Sequence, residues 1–320
     1  MTHLSPRARI AVIVLVVVVL SGAAAGYTVR AAKDRQQASA DSGFTLARRG
    51  LYFQDTGSGR TARQPGDGGP RATGGPSCDR FYAAGGTALC LRRRPGLPPR
   101  AYAVVLDRRL REVRRIALPG IPNRARVSAS GRMLSWTMFA SGDSYATSAF
   151  STRTSILDLR TGYLVKNMEQ IPLTIDGRRH HAPDLNYWGV TFARDDNRFY
   201  ATVSTGGRTH LVEGDMRRWS ARALRANAEC PSLSPDNTRI AFKKKVSGDP
   251  GRPWRLYVLD LRTMSEHPLA ERQSVDDQAA WLDDRTLAYG RGGDIWTVPA
   301  DGSGEPRLLV PDASSPASVS

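Results

Sequence analysis

The chain has 320 residues, of which 40% are hydrophobic and 24% are charged. This is enough apolar material for a packed core, and it excludes a globally disordered protein. The formal net charge is +16, yet only five of the 46 basic residues are lysines and 41 are arginines. We attribute this bias first to a GC-rich genome rather than to a nucleic-acid partner. Three cysteines exclude a disulfide-dense miniprotein and a cysteine-only zinc array.

The first feature along the chain is an uncharged apolar stretch at 10–29, preceded by Arg7 and Arg9. Twenty helical residues at about 1.5 Å each span about 30 Å, the thickness of the hydrocarbon core of a bilayer. We predict one transmembrane helix here, with the body of the protein outside the cytoplasm. The alternative is a cleaved signal peptide and a secreted protein, because the small residues at 23–25 suit a peptidase. The predicted organisation is a short tail (1–9), the anchor or signal (10–29), a polar linker (30–43) and the body (44–320).

The body repeats one pattern, in which a short apolar strand, a polar turn and a second strand follow each other. Its copies are at 126–136, 190–200, 231–242 and 280–289. An aliphatic strand that ends in an acidic turn follows each hairpin, and a further copy of it stands at 104–109. Four strands per unit, with a period of about 40 to 65 residues, are typical of a β-propeller blade. No long amphipathic helix interrupts the units, which argues against a parallel α/β sheet.

We therefore predict an all-β fold, a six-bladed β-propeller preceded by one N-terminal transmembrane helix. Blade one starts at 44–53 with a segment typical of a second strand, and its Gly/Pro-rich 57–76 segment has little strand character. We predict that the segment starting at Ser315 supplies the missing first strand and closes the ring, which removes an exposed sheet edge. A frayed polar tail is the alternative. Blades two to six are predicted at 78–121, 122–184, 185–228, 229–272 and 273–312.

The turn that begins Ser234-Pro-Asp-Asn, together with the strand at 256–260, resembles the WD-like repeat of TolB-like propellers. More narrowly, the body resembles a group of actinobacterial, membrane-anchored TolB-like proteins that have no assigned biochemical role. This resemblance implies the fold and says little about activity, because propellers include both scaffolds and enzymes. The stretches that carry it are 77–91, 150–154, 187–195 and 274–278.

Cys78 and Cys90 lie on the two arms of a predicted hairpin that turns near Ala84-Gly85. Pairing outward from that turn places them nearly opposite each other, within reach of a disulfide bond. An oxidising compartment favours the disulfide, whereas two buried thiols are the alternative in the cytosol. Cys230 has no predicted partner and is interpreted as a small, buried apolar residue.

The sequence contains no motif for nucleophilic or metal-dependent catalysis. G-x-S-x-G and H-E-x-x-H are absent, and His180-His181 is predicted to lie in solvent. We predict no catalytic residue, no cofactor and no metal ion. Paired carboxylates for sugar chemistry stay open, because propeller glycosidases take theirs from different blades. The acidic pairs interpreted as turn residues rather than calcium ligands are Asp195-Asp196, Asp276-Asp277 and Asp283-Asp284.

Two basic runs, 92–94 and 243–245, lack the interleaved aromatic residues of a nucleic-acid platform. A nucleic-acid partner is therefore not predicted. Outside the cytoplasm these runs would face cell-wall polymers, anionic lipid headgroups or solvent.

First strands of propeller blades line the central channel, and the blade ends carry binding loops. We predict a ligand site from side chains near the channel and from the 141–153 insertion, whose hydroxyl and aromatic groups suit a peptide, a glycan or a partner protein. A solvent loop is the alternative for this insertion. The candidate ligand-binding residues are Asp79, Arg80, Arg124, Ser144, Tyr145, Arg153, Trp188, Glu229, Asp277 and Gln278.

The resulting functional hypothesis is a membrane-anchored, extracytoplasmic binding or scaffold module without catalytic activity, with a protein or cell-envelope polymer as its ligand. One alternative is an extracytoplasmic enzyme acting on wall glycan through carboxylates at the blade ends. Another is a basic surface that docks anionic polymers without specificity.

Overall fold

The computed structural model describes residues 43–66, 68–97, 100–140, 151–249 and 251–319. The predicted anchor at 10–29 and almost all of the predicted linker lie outside these ranges. Within them, no helix is both long enough and apolar enough to cross a membrane.

The described chain forms six β-sheets, one for each predicted blade; five are antiparallel, and that of blade four includes one parallel pair of strands. Blade one contains β1 (Gly50–Asp55), β2 (Arg60–Gln64) and β3 (Ala72–Thr73). Blade two contains β4 (Arg80–Ala84), β5 (Thr87–Arg94), β6 (Arg100–Leu106) and β7 (Glu112–Leu118). Blade three contains β8 (Gly120–Val127), β9 (Met133–Ala140), β10 (Thr152–Asp158) and β11 (Leu164–Val165).

A short 3₁₀ helix, Met168–Gln170, and a hairpin of β12 (Leu173–Ile175) and β13 (Arg178–His180) follow blade three. Blade four contains β14 (Asn186–Phe192), β15 (Arg198–Thr205), β16 (Arg208–Asp215) and β17 (Ser220–Ala226). Blade five contains β18 (Glu229–Leu233), β19 (Arg239–Lys245), β20 (Trp254–Asp260) and β21 (Glu266–Pro268). Blade six contains β22 (Ala280–Trp281), β23 (Thr286–Arg291), β24 (Asp294–Pro299) and β25 (Arg307–Val310), and the last strand is β26 (Ala313–Val319).

The hydrophobic core lies between neighbouring blades rather than in one central mass. Leu89 and Leu91 of β5 pack in the same cluster as Leu134 and Trp136 of β9. Successive side chains of a strand point to opposite faces of the sheet, so each blade buries both of its faces against its neighbours. This explains why the central strands have almost continuous apolar sequences.

The ring closes as the sequence predicts. β26 pairs antiparallel with β1, and Ala317 lies opposite Tyr52 in this register. The C-terminal strand is thus the inner strand of blade one, next to β1, β2 and β3. The segment 57–76, which looks poor in strand character, nevertheless supplies β2 and β3.

One blade boundary is wrong in the prediction. The sequence places 122–184 in blade three, but the β12–β13 hairpin belongs to the sheet of blade four. β12 pairs in parallel with β17, the outer strand of that blade, through Leu173↔Ala221. Leu173 is 1% exposed, and its burial in the cluster around Tyr187 accounts for this attachment.

The predicted disulfide is present between Cys78 and Cys90, with their Cα atoms 5.4 Å apart. The predicted register of the hairpin is wrong, because Ala84 pairs with Thr87 and the turn is formed by Gly85-Gly86. Cys90 therefore lies opposite Phe81, and Cys78 reaches it from the segment ahead of β4. Cys230 is buried and free, as predicted.

Candidate functional site

The first strand of each blade begins at one face of the ring and ends at a turn on the opposite face. In blade two, β4 runs from Arg80 to the turn at Gly85-Gly86. The face where the first strands begin is called the mouth below. The segment that enters blade one lies at the opposite face, because Leu46 donates its backbone N–H to the carbonyl of Arg108 in the β6–β7 turn.

A narrow pocket of about 30 Å³ lies where the first strands of blades two, three, six and one converge. The predicted residues Arg80, Arg124, Asp277 and Gln278 all line it. We call this site the channel pocket. Its remaining lining residues are Phe81, Tyr82, Asn123, Ala125, Arg126, Ser315 and Pro316.

Two arginines of β8 reach the channel pocket from one strand. Arg126 is 4% exposed, donates to the carbonyl of Ala279 at 3.1 Å and places its guanidinium carbon 4.3 Å from the centre of the Tyr82 ring. Arg124 donates to the side-chain oxygen of Asn123 at 2.6 Å and lies 3.7 Å from a carboxylate oxygen of Asp276. Arg124 and Arg126 are two residues apart, which puts both on the channel side of a strand.

The remaining predicted residues of the pocket are held by backbone groups. The carboxylate of Asp277 accepts the backbone N–H of Gly290 at 2.9 Å. The amide of Gln278 donates to the carbonyls of Val190 at 3.2 Å and Pro231 at 2.7 Å. Burial lowers the pKa of Arg80 from its usual value, although Asp277 opposes this effect. The pocket is therefore a desolvated, arginine-rich site with one carboxylate in its wall.

A second charged cluster lies beside the pocket. The ammonium group of Lys243 contacts a carboxylate oxygen of Asp276 and lies 3.8 Å from a carboxylate oxygen of Glu229. Glu229 is 6% exposed, and burial raises its pKa although Lys243 opposes the shift. Burial works against ionisation of Asp276 too, but the positive charges of Lys243 and Arg124 outweigh it and lower the pKa.

The structure separates the other predicted residues from the pocket. Asp79 forms an ion pair with Arg93 at 2.8 Å, and Trp188 is buried in β14. Glu229 belongs to the neighbouring cluster, and Arg153 is exposed on β10. Ser144 and Tyr145 lie outside the described residues.

Sequence reasoning missed four important side chains: Tyr82, Arg126, Asp276 and Ser315. Tyr82 and Arg126 each stand two residues after a residue that the sequence analysis names on the same inner strand. The two-residue period of a strand is thus the signal that finds them. Ser315 carries no such signal until β26 is placed in the channel.

A larger groove of about 580 Å³ lies between blades four and five, and none of the predicted site residues lines it. Polar groups of this groove already pair with one another. The hydroxyl of Tyr200 donates to Glu213 at 3.3 Å, and Arg222 forms an ion pair with the same carboxylate. Burial raises the pKa of Tyr200 to about 12, so this phenol stays protonated at neutral pH. We therefore place the candidate site at the channel pocket. Over the described ranges, no group of three or more His, Cys, Asp or Glu side chains suits a metal ion.

No family model matches the sequence, and no curated protein matches it. Among solved structures, TolB from Acinetobacter baumannii is similar, with a TM-score of 0.58 and 14% identity over 89% of this chain and 70% of that one. A chain of a nidogen/laminin complex gives a TM-score of 0.54 and 12% identity over 84% of this chain and 97% of that one. A putative TolB from Agrobacterium tumefaciens gives a TM-score of 0.47 and 10% identity over 82% of this chain and 88% of that one. The fold is that of a TolB-like six-bladed β-propeller.

Proposed function

We propose that this protein is a non-catalytic binding or scaffold module, anchored in a membrane by residues 10–29, with its propeller outside the cytoplasm. Its ligand is a protein or a cell-envelope polymer that contacts the mouth of the channel. The observation that carries this proposal is the convergence of Arg80, Arg124, Asp277 and Gln278 on one pocket.

The size of the pocket favours binding over catalysis. Sites that enclose a small-molecule substrate have volumes of about 300–1,000 Å³. The channel pocket has about 30 Å³, room for one end group of a ligand. Its carboxylate, Asp277, is already held by a backbone N–H. The site thus offers contacts for a ligand whose main body stays outside the channel.

The disulfide supports the proposed location. Disulfides persist in oxidising compartments and are rare in the cytosol. The Cys78–Cys90 bond therefore fits a propeller on the extracytoplasmic side. The apolar stretch at 10–29 fits a membrane anchor on the grounds of length and charge.

A photo-crosslinking amino acid placed at Arg272 in intact cells tests the binding role. Arg272 is exposed in the connection that leads to Asp277 at the mouth. Arg160 is the matched control, because it is an exposed arginine in the β10–β11 turn at the opposite face. We expect a reproducible adduct from position 272 and none from 160, with protease added to whole cells degrading the propeller. Equal adducts at both positions, or a propeller protected from the protease, would contradict the proposal.

An enzyme acting on wall glycan is the second candidate, because one observation favours it. The pKa of Glu229 is raised while that of the nearby Asp276 is lowered, and acid–base pairs in enzymes show such a separation. Against it, Glu229 is 6% exposed and its carboxylate faces Lys243. Release of soluble fragments from purified cell wall by the wild-type protein but not by Glu229→Gln would support the enzyme instead.

A further inference from the structure

Unpaired hydrogen-bonding atoms are concentrated in the channel pocket. Ten buried side-chain nitrogen or oxygen atoms lack a hydrogen-bond partner in the described part of the chain. Three of them belong to residues that line this pocket: Nε of Arg124, Nε of Arg126 and Oγ of Ser315. All three atoms carry a hydrogen to donate. Native proteins satisfy nearly all buried polar groups, so three unpaired donors around one pocket indicate an acceptor that binds there.

The charges of the pocket point to an anionic acceptor. Arg80, Arg124 and Arg126 line it, whereas Asp277 is its single acidic lining residue. In the described ranges, no carboxylate oxygen lies within 4.0 Å, the limit for a salt bridge, of a side-chain nitrogen of Arg80 or Arg126. A buried cation without a counter-ion is unfavourable, and an incoming anion relieves this cost. Arg126 is the strongest case, because its side chain is almost wholly buried and its contacts are one carbonyl and the Tyr82 ring.

The shape and the surrounding charges select the kind of anion. A volume of about 30 Å³ admits a single small group and excludes a polymer chain. Asp276 and Asp277 lie at the same mouth, and they would repel a polyanion that carries a charge on every repeat. A single carboxylate brings only one negative charge near these aspartates, and guanidinium groups bind carboxylates with charge-assisted hydrogen bonds.

We propose that the channel pocket binds one carboxylate group of a protein segment inserted from the mouth, held by the guanidinium groups of Arg124 and Arg126 and by the hydroxyl of Ser315. The carboxylate is that of a chain terminus or of an acidic side chain whose neighbours are uncharged. This assignment rests on the proposed binding function and adds the chemistry of its ligand.

Acetate is the probe for this proposal, with acetamide as its neutral counterpart of nearly equal size. The full-length protein is titrated with each compound at constant ionic strength, and the midpoint of thermal unfolding is followed. Acetate should raise the midpoint because a ligand that binds the folded state stabilises it, whereas acetamide should not. Inorganic phosphate tests the other source of an oxyanion. A response to phosphate that exceeds the response to acetate would overturn the carboxylate assignment.

Variants locate the binding site of the probe. Ser315→Ala removes one donor with little change in volume, and Arg126→Gln removes the buried charge. Each should weaken acetate binding by about tenfold or more, the effect of losing a hydrogen bond to a charged group. Arg255→Gln is the matched control, because Nε of Arg255 is also buried and unpaired but Arg255 does not line the pocket. An unchanged response to acetate in folded Ser315→Ala would overturn the proposal.

The crosslinking experiment at Arg272 separates this proposal from the proposed function. A partner that is still captured in the Ser315→Ala and Arg126→Gln backgrounds shows that the mouth binds without the carboxylate site. That result would contradict the carboxylate assignment but would not contradict the proposed binding function. Loss of capture in both variants, with capture retained in Arg255→Gln, supports both.

Discussion

Individual arginines in this protein have different roles, which a count of arginines does not show. Several arginines of the described ranges pair with a nearby carboxylate, as Arg132 does with Asp158 at 2.6 Å. Such pairs contribute little stability when solvent reaches them. Arg124 and Arg126 differ because β8 turns both toward the channel. The sequence contains an excess of arginines, and the blade pattern predicts that Arg124 lies near the channel. The number of arginines alone does not distinguish a channel residue from a surface residue.

Glu229 allows a prediction about pH at the scale of one residue. Burial raises its pKa, so the folded protein holds this proton more tightly than the unfolded chain does. The stability that comes from the protonated group is present below the pKa of a free glutamate and is lost as the pH rises through the raised value. In Glu229→Gln this loss is absent. We expect the variant to gain stability relative to the wild type as the pH increases through that range.

Urea unfolding of both proteins across the acidic to neutral range measures this difference. Asp301→Asn is a suitable control, because Asp301 is an exposed turn residue whose pKa is lowered by hydrogen bonds from Ser303. Its substitution should have the opposite dependence, with a loss of stability above the usual pKa of an aspartate. A constant difference between wild type and Glu229→Gln at every pH would contradict the prediction.

Hairpins and turns are the elements that the sequence predicts best. The turn after Ser234 forms because the Asp236 carboxylate accepts the backbone N–H of Thr238 at 3.0 Å and Asn237 adopts a positive φ of 63°. Residues that favour this geometry stand at fixed places in the sequence. Registers are harder to predict, as the hairpin of blade two shows. A choice between Ala84-Gly85 and Gly85-Gly86 as the turn decides which residue faces Cys90, and both dipeptides suit a tight turn.

The disulfide of blade two gives a prediction at the scale of one element. Cys78 and Cys90 are 12 residues apart, and closing a loop of this size in the unfolded chain stabilises the folded state by about 3 kcal/mol. The double variant Cys78→Ser/Cys90→Ser should lose roughly this much free energy of unfolding. Urea unfolding with and without a reductant provides the check. Reductant should lower the midpoint of the wild type and leave that of the double variant unchanged; equal stability of both proteins without reductant would contradict the prediction.

The β12–β13 hairpin shows why one blade boundary was not predictable. Its sequence follows blade three without a break, and nothing local indicates that Leu173 will pair with Ala221 of the next blade. This attachment depends on the packing of Leu173 in the core of blade four, which exists only after the two blades meet. Contacts between distant segments determine which blade such a hairpin joins, whereas local sequence patterns determine where a hairpin forms.

At the scale of the whole molecule, ring closure was predictable because blade one lacks a first strand in the sequence and the C-terminal segment resembles one. The channel pocket was predictable only in part. Arg80, Arg124, Asp277 and Gln278 follow from the blade pattern, and the two-residue period of a strand would add Arg126, but the position of Ser315 depends on how far β26 is shifted along its neighbour. The shifts of the six inner strands relative to one another are fixed only in the closed ring.

Closure itself is open to test. Ala317 is fully buried in β26, opposite Tyr52, so Ala317→Arg must bury an unpaired charge or release the strand. We expect the free energy of unfolding to fall by more than about 3 kcal/mol. Ser318→Arg is the control, because Ser318 is partly exposed and points to the other side of the strand. Equal losses in the two variants, measured by urea unfolding, would contradict the role of β26 in closing the ring.

The strand that closes the ring also carries Ser315 and Pro316 to the channel pocket. During synthesis it leaves the ribosome after the other described strands, and until it docks, the pocket lacks a wall. The proposed recognition at the channel pocket therefore requires this strand to be docked. A fragment cut short ahead of residue 313, by a stalled ribosome or a protease, retains the sequence of five complete blades but lacks the strand that forms one wall of the pocket.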